Sequence, residues 1–245
     1  VLHGYSPWSG RSFCPYCKQR IIWYDNIPLL SFVLLRGKCR RCRKTISLRY
    51  PVVEILTANL FLWWFVLGKF MFRLVEQPYG TIQPVFWLVV GLGMILLFGF
   101  DLFYGILPDG VVGGLAGIAL IYRLALAISG VMQWPDFWLY VISAIGAVIG
   151  FSLIILATRG KGMGWGDVKL AGAMGLILGW PGILVAIFTA FLTGAVAAII
   201  LIGSGKKRLG QTVPFGPFLV EGTLVALAWG DKIWQWYVSL LGLRF

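Results

Sequence analysis

Two groups of residues in this 245-residue chain could do chemistry. The first is Cys14-Pro15-Tyr16-Cys17 together with Cys39-Arg40-Arg41-Cys42, two pairs separated by 21 residues that use all four cysteines of the chain. Two CxxC turns can converge on one tetrahedral Zn²⁺, each supplying two thiolates. Lys18, Lys38, Arg40, Arg41 and Arg43 stand close by and favour the ionised thiols. A site closed by four cysteines has no open position, which makes the expected metal structural rather than hydrolytic. Two disulfides are the competing reading, and a reducing cytoplasm disfavours them. His3, the single histidine, is not needed as a ligand.

The second group is a pair of carboxylates. Asp101 ends one apolar run, in Phe100-Asp101-Leu102-Phe103-Tyr104-Gly105-Ile106-Leu107-Pro108-Asp109. Asp167 opens another, after the glycine-rich stretch Lys161-Gly162-Met163-Gly164-Trp165-Gly166, and is followed by Val168-Lys169-Leu170. Two carboxylates that meet in a low-dielectric site do not both ionise easily. One can then act as base on a water while the other acts as acid. That is sufficient equipment for peptide-bond hydrolysis without a nucleophilic side chain or a catalytic metal. Two readings of Asp167 stand side by side: half of such a pair, or a helix N-cap behind glycines that permit positive φ and close backbone approach.

The elements that would position these groups follow from composition. Hydrophobic residues make up 59% of the chain and charged residues 12%, and mean hydropathy is +0.86. A soluble domain carries about 25% charged residues, so the expected class is an all-α polytopic membrane protein. Residues 1–50 read as a small basic cytoplasmic zinc-binding domain and 51–245 as a transmembrane domain of about seven helices. The apolar spans lie at 51–75, 84–100, 110–129, 137–157, 168–180, 183–203 and 215–241. The span 168–180 is short enough to join its neighbour across Trp180-Pro181-Gly182.

Charge sets the expected orientation. The net charge is +12, and ten of the 21 Lys and Arg fall between Arg11 and Arg49 beside a single acid, Asp25. Such a block can serve nucleic acid; in a membrane protein it reads as a cytoplasmic segment. If residues 1–50 are inside, alternation puts the turn 101–109 and the loops 158–169 and 204–214 inside with them. Sixteen of the 21 cations then lie on that side, leaving Lys69, Arg73, Arg123, Lys232 and Arg244. The same alternation puts Asp101, Asp109 and Asp167 on one face of the membrane.

The other acids have quieter readings. Asp109 follows Pro108 ahead of a helix and suits an N-cap, with a secondary claim to Asp101's role. Glu54 is expected in the first turn of a helix, where the dipole favours an acid. Glu221 lies inside an apolar span and is expected to face the bundle interior or water. Glu76, Asp136 and Asp231 lie in or beside polar connections.

These motifs, in this order, resemble the type IV prepilin peptidases, bacterial leader peptidase/N-methyltransferases of the GxGD intramembrane aspartic class. Cys14–Cys17, Trp23-Tyr24-Asp25-Asn26-Ile27-Pro28, Leu35–Cys42 and Arg49–Glu54 look like the family's tetracysteine domain and its exit. Asp101 with Leu107-Pro108-Asp109 is similar to its first aspartate motif, Gly162–Leu170 to its second, and Pro214-Phe215-Gly216-Pro217 to its late-loop motif. The resemblance implies that Asp101 and Asp167 are catalytic, with Gly162, Gly164, Gly166 and Lys169 in the active-site loop. It implies cleavage of type IV prepilins or type II secretion pseudopilins after a glycine at the cytoplasmic face of the bacterial inner membrane. S-adenosylmethionine would then methylate the new N-terminus, an activity associated with the tetracysteine domain. It implies no nucleic-acid partner and leaves room for an oligomer. The family usually has a further transmembrane helix before the tetracysteine domain, absent from this sequence, which opens at Val1; Trp165 stands where tyrosine is common, and Glu221 where an apolar or small residue is expected. Two other classes remain: a membrane-anchored zinc-ribbon binding module without catalysis, and a transporter using Asp101 and Asp167 as proton sites, for which no inverted repeat is apparent.

Overall fold

The computed structural model describes residues 12–71, 79–160, 162–205 and 213–242. His3, Glu76, Lys161 and most of the loop 204–214 lie outside them. The chain divides into two compact units, Val1–Val66 and Leu67–Phe245.

The first unit is built on its cysteine turns. Each turn is closed by one antiparallel bridge, Phe13 with Arg20 and Lys38 with Thr45. Their hydrogen bonds repeat. The Cys14 amide donates to the Gln19 carbonyl and the Lys18 amide to the Cys14 carbonyl; likewise Cys39 donates to Lys44 and Arg43 to Cys39. Lys18 and Arg43, one residue past each second cysteine, both adopt positive φ, 56° and 59°. Between the turns lie a 3₁₀ turn, Trp23–Asn26, and a short helix α1, Leu30–Leu34. Helix α2 is Arg49–Met71.

The second unit contains α3 (Tyr79–Tyr104), α4 (Asp109–Ile128), α5 (Trp134–Ala157), α6 (Trp165–Leu178), α7 (Gly182–Gly203) and α8 (Gly216–Leu240). Each predicted apolar span overlaps one of α2–α8, the last residues of 51–75 lying outside the described residues, and 168–180 forms its own helix rather than joining 183–203. Among the described residues, four helices are long and apolar enough to cross a membrane: Ile82–Tyr104, α4, α5 and α7. Helix α8 has sufficient length but carries Glu221, Asp231 and Lys232.

Helix α6 is the centre of this unit. Its 14 residues span only about 21 Å at 1.5 Å per residue. Eight of the 14 are buried, on all sides of the helix: Asp167, Val168, Leu170, Ala171, Ala173, Met174, Gly175 and Ile177. A helix apolar all round belongs in a core, and α6 packs against α4, α5, α7 and α8. The closest approaches use small residues. A Cβ on Gly175 would lie 2.4 Å from the Ala144 Cα of α5, and one on Gly222 of α8 would lie 2.2 Å from the Ala186 carbonyl oxygen of α7. Small residues let apolar helices draw their backbones together, where van der Waals contact replaces a hydrophobic driving force.

Candidate functional site

Asp101 lies in the last turn of α3 and is 6% exposed; Asp167 lies in the first turn of α6 and is 7% exposed. Sixty-five residues of chain separate them, yet they lie within electrostatic reach of each other. Each is held by one backbone amide. The Gly216 amide at the start of α8 donates to Asp101 Oδ2 at 2.8 Å. The Gly164 amide donates to Asp167 Oδ2 at 3.1 Å. In both cases Oδ1 has no hydrogen-bond partner among the described residues. A buried carboxylate without any donor would be costly, and one amide each offsets part of that cost.

The local sequence explains the placement of Asp167. Gly164 is the N-cap of α6, so Asp167 is the third helical residue rather than the cap itself. Its reach back to the Gly164 amide is half of a capping box; the other half needs a side-chain oxygen at the cap, which glycine lacks. The expected positive φ is not found in the GxG stretch. Gly164 has φ −87°, and the left-handed residues are Arg159 and Gly160, where α5 ends. Gly166 instead gives room: a Cβ there would sit 3.2 Å from Leu107 in the connection between α3 and α4. Gly162 lies against Thr158.

Asp109 is not the N-cap of α4. Pro108 is, and Asp109 is the first helical residue. Its carboxylate pairs with Lys169 Nζ at 2.8 Å, both side chains more than half exposed. Lys169 is therefore on α6, outside the loop, and it ties α6 to the start of α4. Asp101, Asp109, Asp167 and Lys169 all lie at one end of the bundle. Glu54 is the sixth residue of α2, past the first turn, and accepts the Leu29 amide at 2.8 Å. Leu29 has φ +59°, so Glu54 pins a strained backbone in the first unit. Glu221 is exposed on α8 and points out of the bundle.

Sequence reasoning missed Gly216 as part of the site. A Cβ there would come 2.6 Å from Asp101 Oδ2. The signal was the Phe215-Gly216-Pro217 start of α8, where a helix N-terminus offers free amides. It also missed Arg123, buried in α4.

The four cysteine sulfurs lie within 4.8 Å of one another, and Cys14 Sγ to Cys42 Sγ is 3.9 Å. A disulfide needs about 2.05 Å, and all four thiols are free. Tetrahedral Zn–S bonds of about 2.3 Å put neighbouring sulfurs roughly 3.8 Å apart, so the set fits a metal ion. Its electrostatics point the same way. The Cys17 backbone amide brings Cys14 down to about 7 against the opposing effect of burial. For Cys42 the Lys44 amide lowers the value, but burial and the other three sulfurs outweigh it and raise the thiol to about 11. Four thiolates this close need a cation. The same unit encloses a cavity of about 610 Å³, lined by both cysteine turns, Asp25, Arg41, Tyr50 and Glu54.

Comparison with known proteins follows this division. Residues 3–67 match the bacterial peptidase A24 N-terminal domain, and residues 88–199 match the type IV leader peptidase family. The chain is 36% identical over 234 residues to a prepilin leader peptidase/N-methyltransferase of Legionella pneumophila, covering 94% of this chain and 76% of the relative. It is 34% identical over 240 residues to the protein of that name from Aeromonas salmonicida, covering 94% and 75%. It is 31% identical over 245 residues to that from Pseudomonas aeruginosa, covering 95% and 76%. No solved structure matches the chain.

Proposed function

The chain belongs to the type IV leader peptidase family, and on that premise we propose that Asp101 and Asp167 are the dyad that removes the leader of a prepilin or pseudopilin. The observation that carries this reading is the pair of buried carboxylates, drawn from distant segments to one end of the bundle and each left with one open oxygen. One carboxylate takes a proton from water as the water oxygen attacks the scissile carbonyl carbon. The other, protonated, gives its proton to the leaving amine as the C–N bond breaks. Backbone amides of Gly216 and Gly164 fix both carboxylates during the exchange. Gly162, Gly164 and Gly166 leave backbone open to a substrate strand, and the Lys169–Asp109 pair holds α6 against α4 beside the dyad. Cleavage after glycine at the cytoplasmic face of the inner membrane is what the family resemblance implies, and the distribution of Lys and Arg supports seven crossings with residues 1–50 inside.

The second activity is N-methylation of the new N-terminus. S-adenosylmethionine, when bound, supplies an electrophilic methyl group to that amine. The 610 Å³ cavity of the first unit is the candidate place for it: Arg41 could meet its carboxylate and Tyr50 its adenine, while Asp25 is already paired with Arg40 and Glu54 with the Leu29 amide. Cys14, Cys17, Cys39 and Cys42 hold a structural Zn²⁺ that shapes this domain, residues 1–50, while 51–245 form the peptidase domain. A zinc-ribbon module without catalysis would leave the two buried carboxylates without a purpose.

Incubation of the purified protein with a prepilin, with and without S-adenosylmethionine, tests the reading by product mass. Asp101→Asn and Asp167→Asn are expected to abolish cleavage. Cleavage at the wild-type rate by either variant overturns the dyad.

A further inference from the structure

The second unit has another polar feature, at the end of the bundle away from the dyad. Gln83 lies 18 residues before Asp101 on α3, roughly 27 Å along the helix. A cavity of about 390 Å³ opens there between the start of α3, the end of α4, the start of α5 and the residues after α6. Its inner wall carries Arg123, 8% exposed. One guanidinium nitrogen of Arg123 donates to the Ile177 carbonyl at 2.7 Å, at the C-terminal end of α6. The guanidinium carbon lies 3.9 Å from the centre of the Tyr140 ring. Among the described residues, however, Arg123 Nε–H has no acceptor, and Gln83 Oε1 on the same cavity has no donor. Arginine stays protonated even when buried, so the cavity holds a permanent positive charge with one unmet donor and, on Gln83, one unmet acceptor. Asp136 lines the same cavity from the first turn of α5 and is exposed.

The surroundings of this cavity suit a membrane surface. Trp180 lines it, Trp134 and Trp138 flank it on α5, and all three are about half exposed. Tryptophans cluster at the headgroup level of a bilayer, and basic pockets between transmembrane helices at that level receive lipid headgroups. We propose that the cavity is a phospholipid site specific for a headgroup that carries both a phosphate and an ammonium. The phosphate accepts the Arg123 Nε–H, and the Gln83 amide, which can present either its oxygen or its NH₂, makes a second contact. The ammonium meets Asp136 at the rim. The aromatic walls cover the glycerol. This site depends on the unit being in a membrane and not on the peptidase reading.

The test uses the full protein, delipidated and returned to nanodiscs of phosphatidylethanolamine or phosphatidylglycerol, with inorganic phosphate in solution as a third arm. Lipid retained on the protein is read by native mass spectrometry and thermal stability. Phosphatidylethanolamine is expected to be retained several-fold more than phosphatidylglycerol. Gln83→Leu should reduce that retention several-fold, and Asp136→Asn should erase the preference between the lipids. Arg123 also holds the end of α6, so these two variants, which support no helix end, carry the test. Equal retention in wild type and Gln83→Leu overturns the proposal, as does an unchanged preference in Asp136→Asn. Displacement of the lipid by inorganic phosphate at millimolar concentration identifies a simple anion site and overturns it too.

Discussion

Replacing Gly216 by alanine probes the site without touching a carboxylate. The added Cβ would lie 2.6 Å from Asp101 Oδ2, 3.0 Å from Cγ and 3.2 Å from Cβ. A carbon and an oxygen approach to about 3.3 Å at closest, so Asp101 has to move by roughly 0.7 Å or more. That displacement stretches the 2.8 Å bond from the Gly216 amide past its useful range. A hydrogen bond to a charged group contributes about 1.5–3 kcal/mol, and a misplacement of about 1 Å can cost 10²-fold in rate. Gly216→Ala is therefore expected to lower kcat/KM for leader cleavage by about 10- to 100-fold. Folding should not suffer in proportion. Gly216 is the first residue of α8 and does not use positive φ, so alanine meets no backbone strain there. The assay is the initial cleavage rate in detergent beside the thermal midpoint of each protein. Gly113→Ala, where a Cβ meets nothing within 4 Å, is the control. A folded Gly216→Ala enzyme with the rate of Gly113→Ala refutes the argument that this amide positions Asp101.

Other perturbations separate packing, pairing and metal. Gly222→Ala drives a Cβ into the Ala186 carbonyl, and overpacking of this kind costs about 1–3 kcal/mol; the thermal midpoint should fall, and an unchanged midpoint would contradict the α7–α8 packing. Lys169→Met breaks an exposed pair worth about 0–1 kcal/mol, so cleavage should slow by less than about tenfold, and Asp109→Asn should match it in a parallel assay. Cys14→Ser should release the metal, read by elemental analysis, and impair methylation more than cleavage; full metal content would rule out the four-cysteine site.

The parts of the molecule that were legible in advance are those with a local signal. Seven apolar runs became seven helices because span length is written residue by residue. Cys14, Cys17, Cys39 and Cys42 come together because CxxC turns are self-contained, down to the repeated left-handed residue after each. The common end of Asp101, Asp109 and Asp167 was expected from alternation of the apolar spans. What the sequence hid is cross-chain contact. Asp109 suits a cap by its neighbours, but Lys169, 60 residues away, claims it. Glu54 reads as a dipole partner, while its actual work is at Leu29. The central place of α6 was hidden by its shortness, since burial on all sides comes from the helices around it. Arg123 looked like a stray cation outside the charge pattern because its partners, Ile177 and Tyr140, come from two other helices.

The donors that hold the two carboxylates are both main-chain amides. A main-chain N–H survives every substitution except proline, so mutation seldom deletes it as it deletes a serine or an asparagine. A saturation scan of this bundle should accordingly find no polar side chain whose loss mimics loss of Asp101 or Asp167. Its intolerant positions beside the two aspartates should be glycines, with damage that grows with the volume introduced rather than with the chemistry removed. Genetic drift can therefore rewrite much of the surrounding surface while leaving the aspartates held as they are.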